Sequence, residues 1–356
     1  MDLEKKSLVK RGILFLFVGI FILILFLHFF IGIPEILQSL ERADPIYYSL
    51  AFVAVVLNMV FASLAWQKLL RLLSIEASFQ KTFLFSWIGV FVDILIPAES
   101  VSGEISRIYL MSKSSGENAG KIIASVVTHR IISMAVTLSG LLIASFTLIL
   151  EFKLPSFVLN FIIIVIAGTA FSLGFILYLC FRKETTEKFV NWILRKVEAL
   201  THGRWGISEI RFKAQDALDA FYDGVKILGK YKKELIYPVL FSVIAWILDL
   251  LLVFLVFAAL GHSFVIPLST IIIVYSISCT VQTIPIGVPG EVGFLEIVVT
   301  TLYTLLGIPP PLSASATILT RVITLWFRFI LGGLIAQWIG IKATGILQNI
   351  IPSASK

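Results

Sequence analysis

The sequence predicts an all-α, polytopic membrane protein with about six full spans and two re-entrant helical hairpins arranged as an inverted repeat. Three observations lead to this prediction. Hydrophobic residues make up 58% of the 356 positions and charged residues only 14%, against roughly 25% charged residues in soluble domains. A broken apolar motif occurs twice along the chain. The basic residues divide unevenly between the two sides of the predicted membrane.

The apolar segments fall into two groups by length. A helix needs roughly 17–25 apolar residues to cross a bilayer. The segments that meet this length are predicted as full spans: 13–33, 46–70, 122–150, 157–181, 235–260 and 313–341. Three shorter segments, 79–97, 268–285 and 292–307, adjoin the repeated motif. The first span follows a basic stretch and precedes no small-residue cleavage site, so we expect a retained anchor rather than a signal peptide.

The basic residues favour hairpins over additional spans. Lys and Arg concentrate on the cytoplasmic side of membrane proteins. If the short segments return to their starting side, both termini are cytoplasmic, and only Arg42 and Lys153 of the 29 basic residues lie outside. If the first short segment crosses instead, the chain has eight or nine full spans and the basic segment 182–234 lies outside. We therefore predict re-entrant hairpins, in a plasma-membrane protein with cytoplasmic termini.

The two copies of the motif indicate an internal duplication. The first copy contains Pro97 and the pair Gly103–Glu104, and an arginine-led span follows at Arg130. An arginine-led span also follows the second copy, at Arg321. The second copy is richer in residues that break helices or allow close backbone approach: Pro285, Gly287, Pro289, Gly290 and Gly293.

The duplicated units are predicted to be 46–150 and 235–341, each a span, a hairpin and a span, within a single integral membrane domain. Three crossings separate the two hairpins, so the hairpins enter from opposite sides and the repeat is inverted. Irregular backbone at membrane depth is tolerated only where protein or a water-filled cavity shields it. We therefore expect the hairpins to meet near the middle of the bilayer, at a transporter-like binding site.

The polar segment 182–234 carries twelve basic residues and has apolar residues at helical spacing. Two interpretations stay open. The segment is either a basic, cytoplasmic amphipathic helix that lies on a leaflet containing anionic lipids, or a helical linker packed against the spans.

Ionisable residues inside a membrane are costly and are therefore functional candidates. Six of them lie at or after the motifs and are the predicted substrate-binding residues: Arg130, Arg321, Glu104, Arg107, Glu291 and Glu296. A guanidinium binds phosphate in two-pronged fashion, so the two span arginines are candidate ligands for a lipid headgroup. The alternative is structural, with ion pairs that pin each hairpin to its neighbour. These pairs are Glu104 with Arg130, and either Glu291 or Glu296 with Arg321.

No enzyme signature and no spacing typical of a metal or cofactor site occurs in the sequence. We therefore expect no catalytic activity, no metal and no cofactor.

Cys180 and Cys279 both lie in apolar runs, which indicates a role in packing. Asp249 is predicted to link neighbouring helices by a hydrogen bond. The net charge of +7 comes from basic residues that flank apolar spans, so we expect membrane lipids as partners and no nucleic acid.

At the motifs the sequence resembles the lysylphosphatidylglycerol synthase transmembrane-region family, also called flippase-like membrane proteins. The family's Gly-Glu-x-x-Arg element is matched by Gly103, Glu104 and Arg107. Its Pro-Gly-Gly-x-Gly-x-x-Glu element is matched by Pro289, Gly290, Gly293 and Glu296, and its arginine-led spans by Arg130 and Arg321. In two places the chain departs from the pattern: Glu291 replaces a second glycine, and His129 and Ser133 replace acidic residues beside the arginine.

The resemblance implies a membrane-embedded module that moves a lipid between leaflets, without the soluble domain that makes the aminoacylated lipid. The expected function is a flippase-like translocator of an anionic lipid, either a phospholipid or a polyprenyl-phosphate-linked sugar. Two alternatives remain. One is a non-transporting membrane subunit that assists a glycosyltransferase or a lipid-modifying enzyme, and the other is a secondary transporter of a small solute.

Overall fold

The computed structural model describes residues 21, 23–26, 28, 33–96, 101–151, 156–201, 207–261, 266–282 and 286–340. These ranges are helical and contain no β-strand, which confirms the predicted all-α class. The helices, numbered from Ile33 onwards, are α1 Ile33–Glu41, α2 Pro45–Leu72, α3 Phe79–Leu95, α4 Val101–Ser115, α5 Ala119–Glu151, α6 Ser156–Phe181, α7 Lys183–Thr201, α8 Ile207–Lys230, α9 Ile236–Ala259, α10 Leu268–Val281, α11 Phe294–Leu305, α12 Pro310–Arg321 and α13 Arg328–Trp338.

Among the described residues, five helical stretches are long and apolar enough to cross a membrane. They lie in α2, α5, α6, α9 and the continuous run from α12 to α13, and they match five of the six predicted spans. A π-helical segment, Val322–Phe327, joins α12 to α13. The remaining prediction, 13–33, falls largely outside the described residues. The chain is therefore a multi-pass membrane protein.

Helices α2 and α9, the first spans of the two predicted repeats, run antiparallel along their whole length. The contacts between them follow opposite residue order: Asp44 with Ala259, Asn58 with Ala245, Phe61 with Phe241, and Lys68 with Tyr237. Because equivalent spans run in opposite directions, the repeat is inverted, as the sequence predicted. We call the two ends of the bundle the Asp44 end and the Leu73 end.

The first hairpin consists of α3 and α4. Helix α2 ends and α5 begins at the Leu73 end, where Leu73 and Ala124 both pack against Gly224 of α8. The hairpin also starts and finishes there, since Lys81 at the start of α3 contacts the carbonyl oxygen of Ser114 at the end of α4 at 3.4 Å. The chain therefore enters from the Leu73 end and returns to it.

The second hairpin, α10 and α11, enters from the opposite end. Helix α9 finishes beside Asp44. The α12–α13 run is parallel to α2, because Tyr48 contacts Leu319 and Phe52, further along α2, contacts Phe327. The segment between α9 and α12 therefore starts and finishes at the Asp44 end.

Each hairpin packs against the closing span of the other repeat. Helix α3 lies against α13, where Phe91 contacts Phe329 at 5.1 Å between ring centroids and covers Gly332. Helix α10 packs correspondingly against α5. This exchange places the C-terminal part of α3 beside the segment Pro289–Glu291, which precedes α11.

The segment 182–234 has features of both a linker packed against the spans and an amphipathic helix on the membrane surface. Helix α8 packs against the spans, with Gly120 of α5 against Ala217 and the Tyr222 hydroxyl donating to the Leu179 carbonyl oxygen at 2.5 Å. Helix α7 instead keeps a stacked aromatic pair exposed, Phe189 and Trp192.

Helices α7 and α8 are joined at the Leu73 end by an exposed ion pair. Lys183 lies 2.6 Å from Asp219. The hydrogen bond from this lysine to Asp219 raises the pKa of Lys183. A raised pKa keeps the lysine charged to higher pH, so the pair is lost only as pH rises through that pKa.

Candidate functional site

In the first repeat, an ion pair ties the returning hairpin helix to the closing span. Glu104 lies in the first turn of α4, where a carboxylate is favoured by the helix dipole. Its Oε1 accepts a hydrogen bond from Nη1 of Arg130, in α5, at 2.9 Å. The side chains of Arg130 and Glu104 are 26% and 20% exposed. The pair is therefore shielded, but not fully removed from polar surroundings.

The second repeat has the same pair in a more buried setting. Oε1 of Glu296, in the first turn of α11, lies 2.6 Å from Nε of Arg321, at the end of α12. The arginine also donates to the carbonyl oxygen of Gly290, and Glu296 accepts from the Gly293 N–H at 2.7 Å. Side-chain exposure is only 10% for Arg321 and 6% for Glu296. One ion pair thus fixes the loop, the start of α11 and the closing span together.

The two pairs are equivalent by position. Their partners are 26 residues apart in the first repeat and 25 in the second. In both, a glutamate in the first turn of the returning helix meets an arginine of the closing span. Sequence reasoning left Glu291 and Glu296 open as the partner of Arg321, and the structure shows Glu296 in an ion pair with this arginine.

The loop before α11 has a backbone that favours glycine. Gly287, Gly290 and Gly293 have φ angles of +75°, +59° and +90°, in a region that residues with a Cβ rarely adopt. Glu291 has φ +55°, so a residue with a Cβ also adopts a conformation suited to glycine. Such strain in a non-glycine residue persists only where its surroundings hold it, and it is common at functional sites.

Gly103 was predicted to break a helix, and this prediction is wrong. It lies inside α4, and its N–H donates to Oδ1 of Asp93, in α3, at 2.6 Å. A Cβ at Gly103 would lie 2.4 Å from the carbonyl oxygen of Gly89. The glycine is therefore required for close contact between α3 and α4. Two other predicted breaks, Pro97 and Pro285, lie outside the described residues.

Arg107 differs from the arginines of the two pairs. Its guanidinium lies over the ring of Trp66, 5.2 Å from the centroid, in a cation–π contact. Within the described ranges it forms no ion pair. Its side chain passes over Gly89, so it contributes to the packing of α3, α4 and α2.

The C-terminal part of α3 and the segment before α11 meet at a cavity of about 210 Å³. Residues of α3, of the loop after α10 and of the closing span line it: Val90, Asp93, Ile94, Gln282, Ile286, Gly287, Val288, Gly290, Glu291, Arg321, Thr324, Leu325 and Arg328. Of the predicted substrate-binding residues, Glu291 and Arg321 face this cavity directly. Glu296 adjoins it through Arg321, while Glu104, Arg107 and Arg130 lie in the first repeat beyond its lining.

A second ion pair adjoins the cavity, and the sequence analysis did not predict it. Nη2 of Arg328 lies 3.3 Å from Oδ1 of Asp249 and 3.4 Å from the side-chain oxygen of Asn58. The Tyr275 hydroxyl donates to Oδ2 of Asp249 at 2.7 Å. Asp249 thus links α9, α10 and α13 by hydrogen bonds, as predicted. In the sequence, the signal that could have pointed to this group of residues was Asn58, a polar residue within an apolar span.

No group of three or more His, Cys, Asp or Glu side chains that could hold a metal ion is found in the described part of the chain. The chemistry available at the cavity is instead that of arginine guanidinium groups and carboxylates. Guanidinium groups suit phosphate and carboxylate ligands.

The fold and the site define a class of protein: an inverted-repeat membrane protein with a charged cavity between two re-entrant hairpins. Residues 16–332 match the model of the lysylphosphatidylglycerol synthase transmembrane region, and the chain belongs to that family. The match concerns the transmembrane region of the synthases.

The curated relatives support the family assignment over nearly the whole chain. A UPF0104 membrane protein of Methanothermobacter thermautotrophicus is 27% identical, covering 85% of this chain and 88% of the relative. UPF0104 membrane proteins of Pyrococcus horikoshii and Methanocaldococcus jannaschii are each 26% identical, over 88% and 92% of this chain and 93% and 94% of the relatives.

Proposed function

We propose that this protein is a flippase-like translocator that moves an anionic lipid, a phospholipid or a polyprenyl-phosphate-linked sugar, between membrane leaflets, and that it is not an enzyme. The proposal rests on one observation: two hairpins that enter from opposite ends of the bundle line the same charged cavity. Transporters built from inverted repeats bind substrate where broken segments of the two repeats converge.

The cavity suits the headgroup rather than the whole lipid. Pockets that enclose a drug-sized ligand usually measure about 300–1,000 Å³, whereas this cavity measures about 210 Å³. A phosphate group fits within it, and acyl or polyprenyl chains would remain in the surrounding bilayer. Arginine next to the cavity supplies the positive charge that an anionic headgroup needs.

The duplicated ion pairs support an alternating mechanism. In this structure the cavity is built on the second hairpin and includes Arg321. Inverted repeats exchange conformations when the transporter changes the side it faces. The equivalent cavity in the opposite state would form on the first hairpin, near Glu104, Arg107 and Arg130. Both span arginines then contact the headgroup in turn, while their glutamates hold the hairpins.

The orientation follows from charge. Helices α7 and α8 lie at the Leu73 end and belong to the most basic polar segment of the chain. The positive-inside tendency supports a cytoplasmic position for that end. We propose a plasma-membrane protein with both termini cytoplasmic, whose cavity receives lipid from either leaflet.

The cavity volume also favours a second candidate, a secondary transporter of a small phosphorylated or carboxylated solute. A solute of that size would be enclosed completely, without chains in the bilayer. The two functions differ in whether the transported molecule remains anchored in a leaflet.

Liposome reconstitution tests the proposal. Purified protein is incorporated with fluorescent phosphatidylglycerol, and the label in the outer leaflet is quenched with dithionite. We expect quenching beyond half of the label in protein-containing vesicles and about half in empty ones. Fluorescent phosphatidylcholine, whose headgroup has no net charge, should exchange more slowly. Quenching equal to that of empty vesicles would overturn lipid transport, and uptake of radiolabelled phosphate under the same conditions would favour the small-solute transporter.

A further inference from the structure

The guanidinium of Arg328 is the least satisfied of the ion-paired intramembrane arginines in the described ranges. Its contacts to Asp249 and Asn58 measure 3.3 Å and 3.4 Å, whereas charge-assisted N–H···O bonds usually measure about 2.7–2.9 Å. Its Nε is buried and has no hydrogen-bond partner among the residues that the structure describes. Arg321 and Arg130, by contrast, hold their glutamates at 2.6 Å and 2.9 Å.

Arg328 also occupies a position from which it can reach an anion. It lines the 210 Å³ cavity together with Arg321. The π-helical segment Val322–Phe327 separates these two arginines along the closing span. Segments of π-helix inside longer helices occur frequently at functional sites. An anion in the cavity would meet the carboxylates of Asp93 and Glu291 and two guanidinium groups. Arg321 is already held closely by Glu296, whereas Arg328 has only longer contacts to Asp249 and Asn58.

Asp249 is placed to hold Arg328 from the side away from the cavity. It is not among the residues that line the cavity, and its second oxygen accepts the hydroxyl hydrogen of Tyr275 at 2.7 Å. The carboxylate therefore keeps one strong hydrogen bond even when the guanidinium turns away. Asn58 is likewise anchored, by donation to the Ala245 carbonyl oxygen at 2.8 Å.

We propose that Arg328 is a ligand for a phosphate group in this cavity, in addition to Arg321, and that Asp249 is the internal counter-ion of Arg328, which competes with the bound anion for the guanidinium. The proposal rests on the proposed function for the source of the anion, since a lipid headgroup and free phosphate share the same chemistry. It assigns Arg328 and Asp249 opposite effects on affinity. A purely structural ion pair would instead make both residues equally necessary.

Thermal unfolding of the full-length protein in uncharged detergent, followed by tryptophan fluorescence, tests this assignment. Dioleoyl phosphatidylglycerol is added in one series and inorganic phosphate in another, with dioleoyl phosphatidylcholine, a zwitterionic lipid without net charge, as the control. A rise in Tm with phosphatidylglycerol alone identifies a lipid headgroup as the ligand. A rise with both identifies the phosphate group itself.

The variants give the decisive comparison. We expect Arg328→Gln to lose the anion-dependent rise in Tm and Arg328→Lys to keep part of it, because an ammonium lacks the guanidinium fork. Asp249→Asn should lower the anion concentration at half-maximal effect by about fivefold or more, the usual range for coupled sites. If Arg328→Gln fails to fold, the double variant Asp249→Asn/Arg328→Gln, which leaves no uncompensated charge, replaces it.

Two outcomes separate this inference from the proposed function. Retention of the full rise in Arg328→Gln, or weaker anion binding in Asp249→Asn, overturns the assignment of Arg328 while lipid exchange by the wild type still stands. A phosphate-dependent rise that Arg328→Gln abolishes, in a wild type that exchanges no lipid, supports the anion site and overturns the flippase function.

Discussion

Nε of Arg321 lies 2.6 Å from Oε1 of Glu296, and this contact joins the closing span of the second repeat to the first turn of its returning hairpin helix. The same relationship recurs at 2.9 Å between Arg130 and Glu104. Two repeats that run in opposite directions have thus retained one hairpin-to-span ion pair each. The pair of the second repeat is the more deeply buried.

A double-mutant cycle should show strong coupling between Glu296 and Arg321. Glu296→Gln leaves an uncompensated buried charge, and we expect the free energy of unfolding to fall by about 3–5 kcal/mol. Glu296→Gln/Arg321→Gln should recover much of that loss. Denaturation in mixed micelles measures these free energies. The more exposed Glu104–Arg130 pair provides the comparison, and Glu104→Gln should cost only about 1.5–3 kcal/mol. Additive losses in the second repeat would show that the pair does not pin the hairpin.

Lipid exchange should require an arginine in each repeat. Arg130→Ala and Arg321→Ala should each reduce dithionite-detected exchange of phosphatidylglycerol to the level of empty liposomes. Arg→Lys at either position should recover only part of the activity, because an ammonium does not reproduce the guanidinium fork. Arg42→Ala, at an exposed position near the Asp44 end, is the control and should exchange normally. Normal exchange by both intramembrane alanine variants would leave these arginines without a transport role.

The Leu73 end should be cytoplasmic. Lys113 and Lys226 are exposed at that end, so Lys113→Cys and Lys226→Cys, in a background without Cys180 and Cys279, should resist a membrane-impermeant thiol reagent added to intact cells. Arg42→Cys, near the opposite end, should react. The measurement is the fraction of protein labelled before and after the cells are opened. Labelling of Lys226→Cys in intact cells would contradict the orientation.

The close contact of α3 with α4 should depend on Gly103. A Cβ there would lie 2.2 Å from a carboxylate oxygen of Asp93 and 2.4 Å from the carbonyl oxygen of Gly89. Gly103→Ala should therefore lower the free energy of unfolding by about 1–3 kcal/mol through overpacking. Gly174→Ala is the matched helical control, because a Cβ at that position meets no atom within 4 Å. That variant should be neutral or more stable by about 0.5–1 kcal/mol. Equal stability of both variants would show that the hairpin is loosely packed.

The sequence by itself determined the class of fold, the five confirmed spans and the inverted order of the repeats. These features depend on properties that each segment carries locally. A run of apolar side chains must cross the bilayer wherever its neighbours lie, and glycine-rich stretches stop such helices. The distribution of basic residues, also readable without coordinates, supported hairpins over additional spans.

Only the tertiary structure decided which charges meet. It paired Arg321 with Glu296, and it showed that Gly103 allows close contact between two helices rather than breaking one. It also brought Arg328 to Asn58, 270 residues earlier in the chain. The physical reason is that hydrogen bonds act over about 3 Å. Their partners therefore depend on how two hairpins and two opposed repeats pack, and helical periodicity alone does not specify that packing.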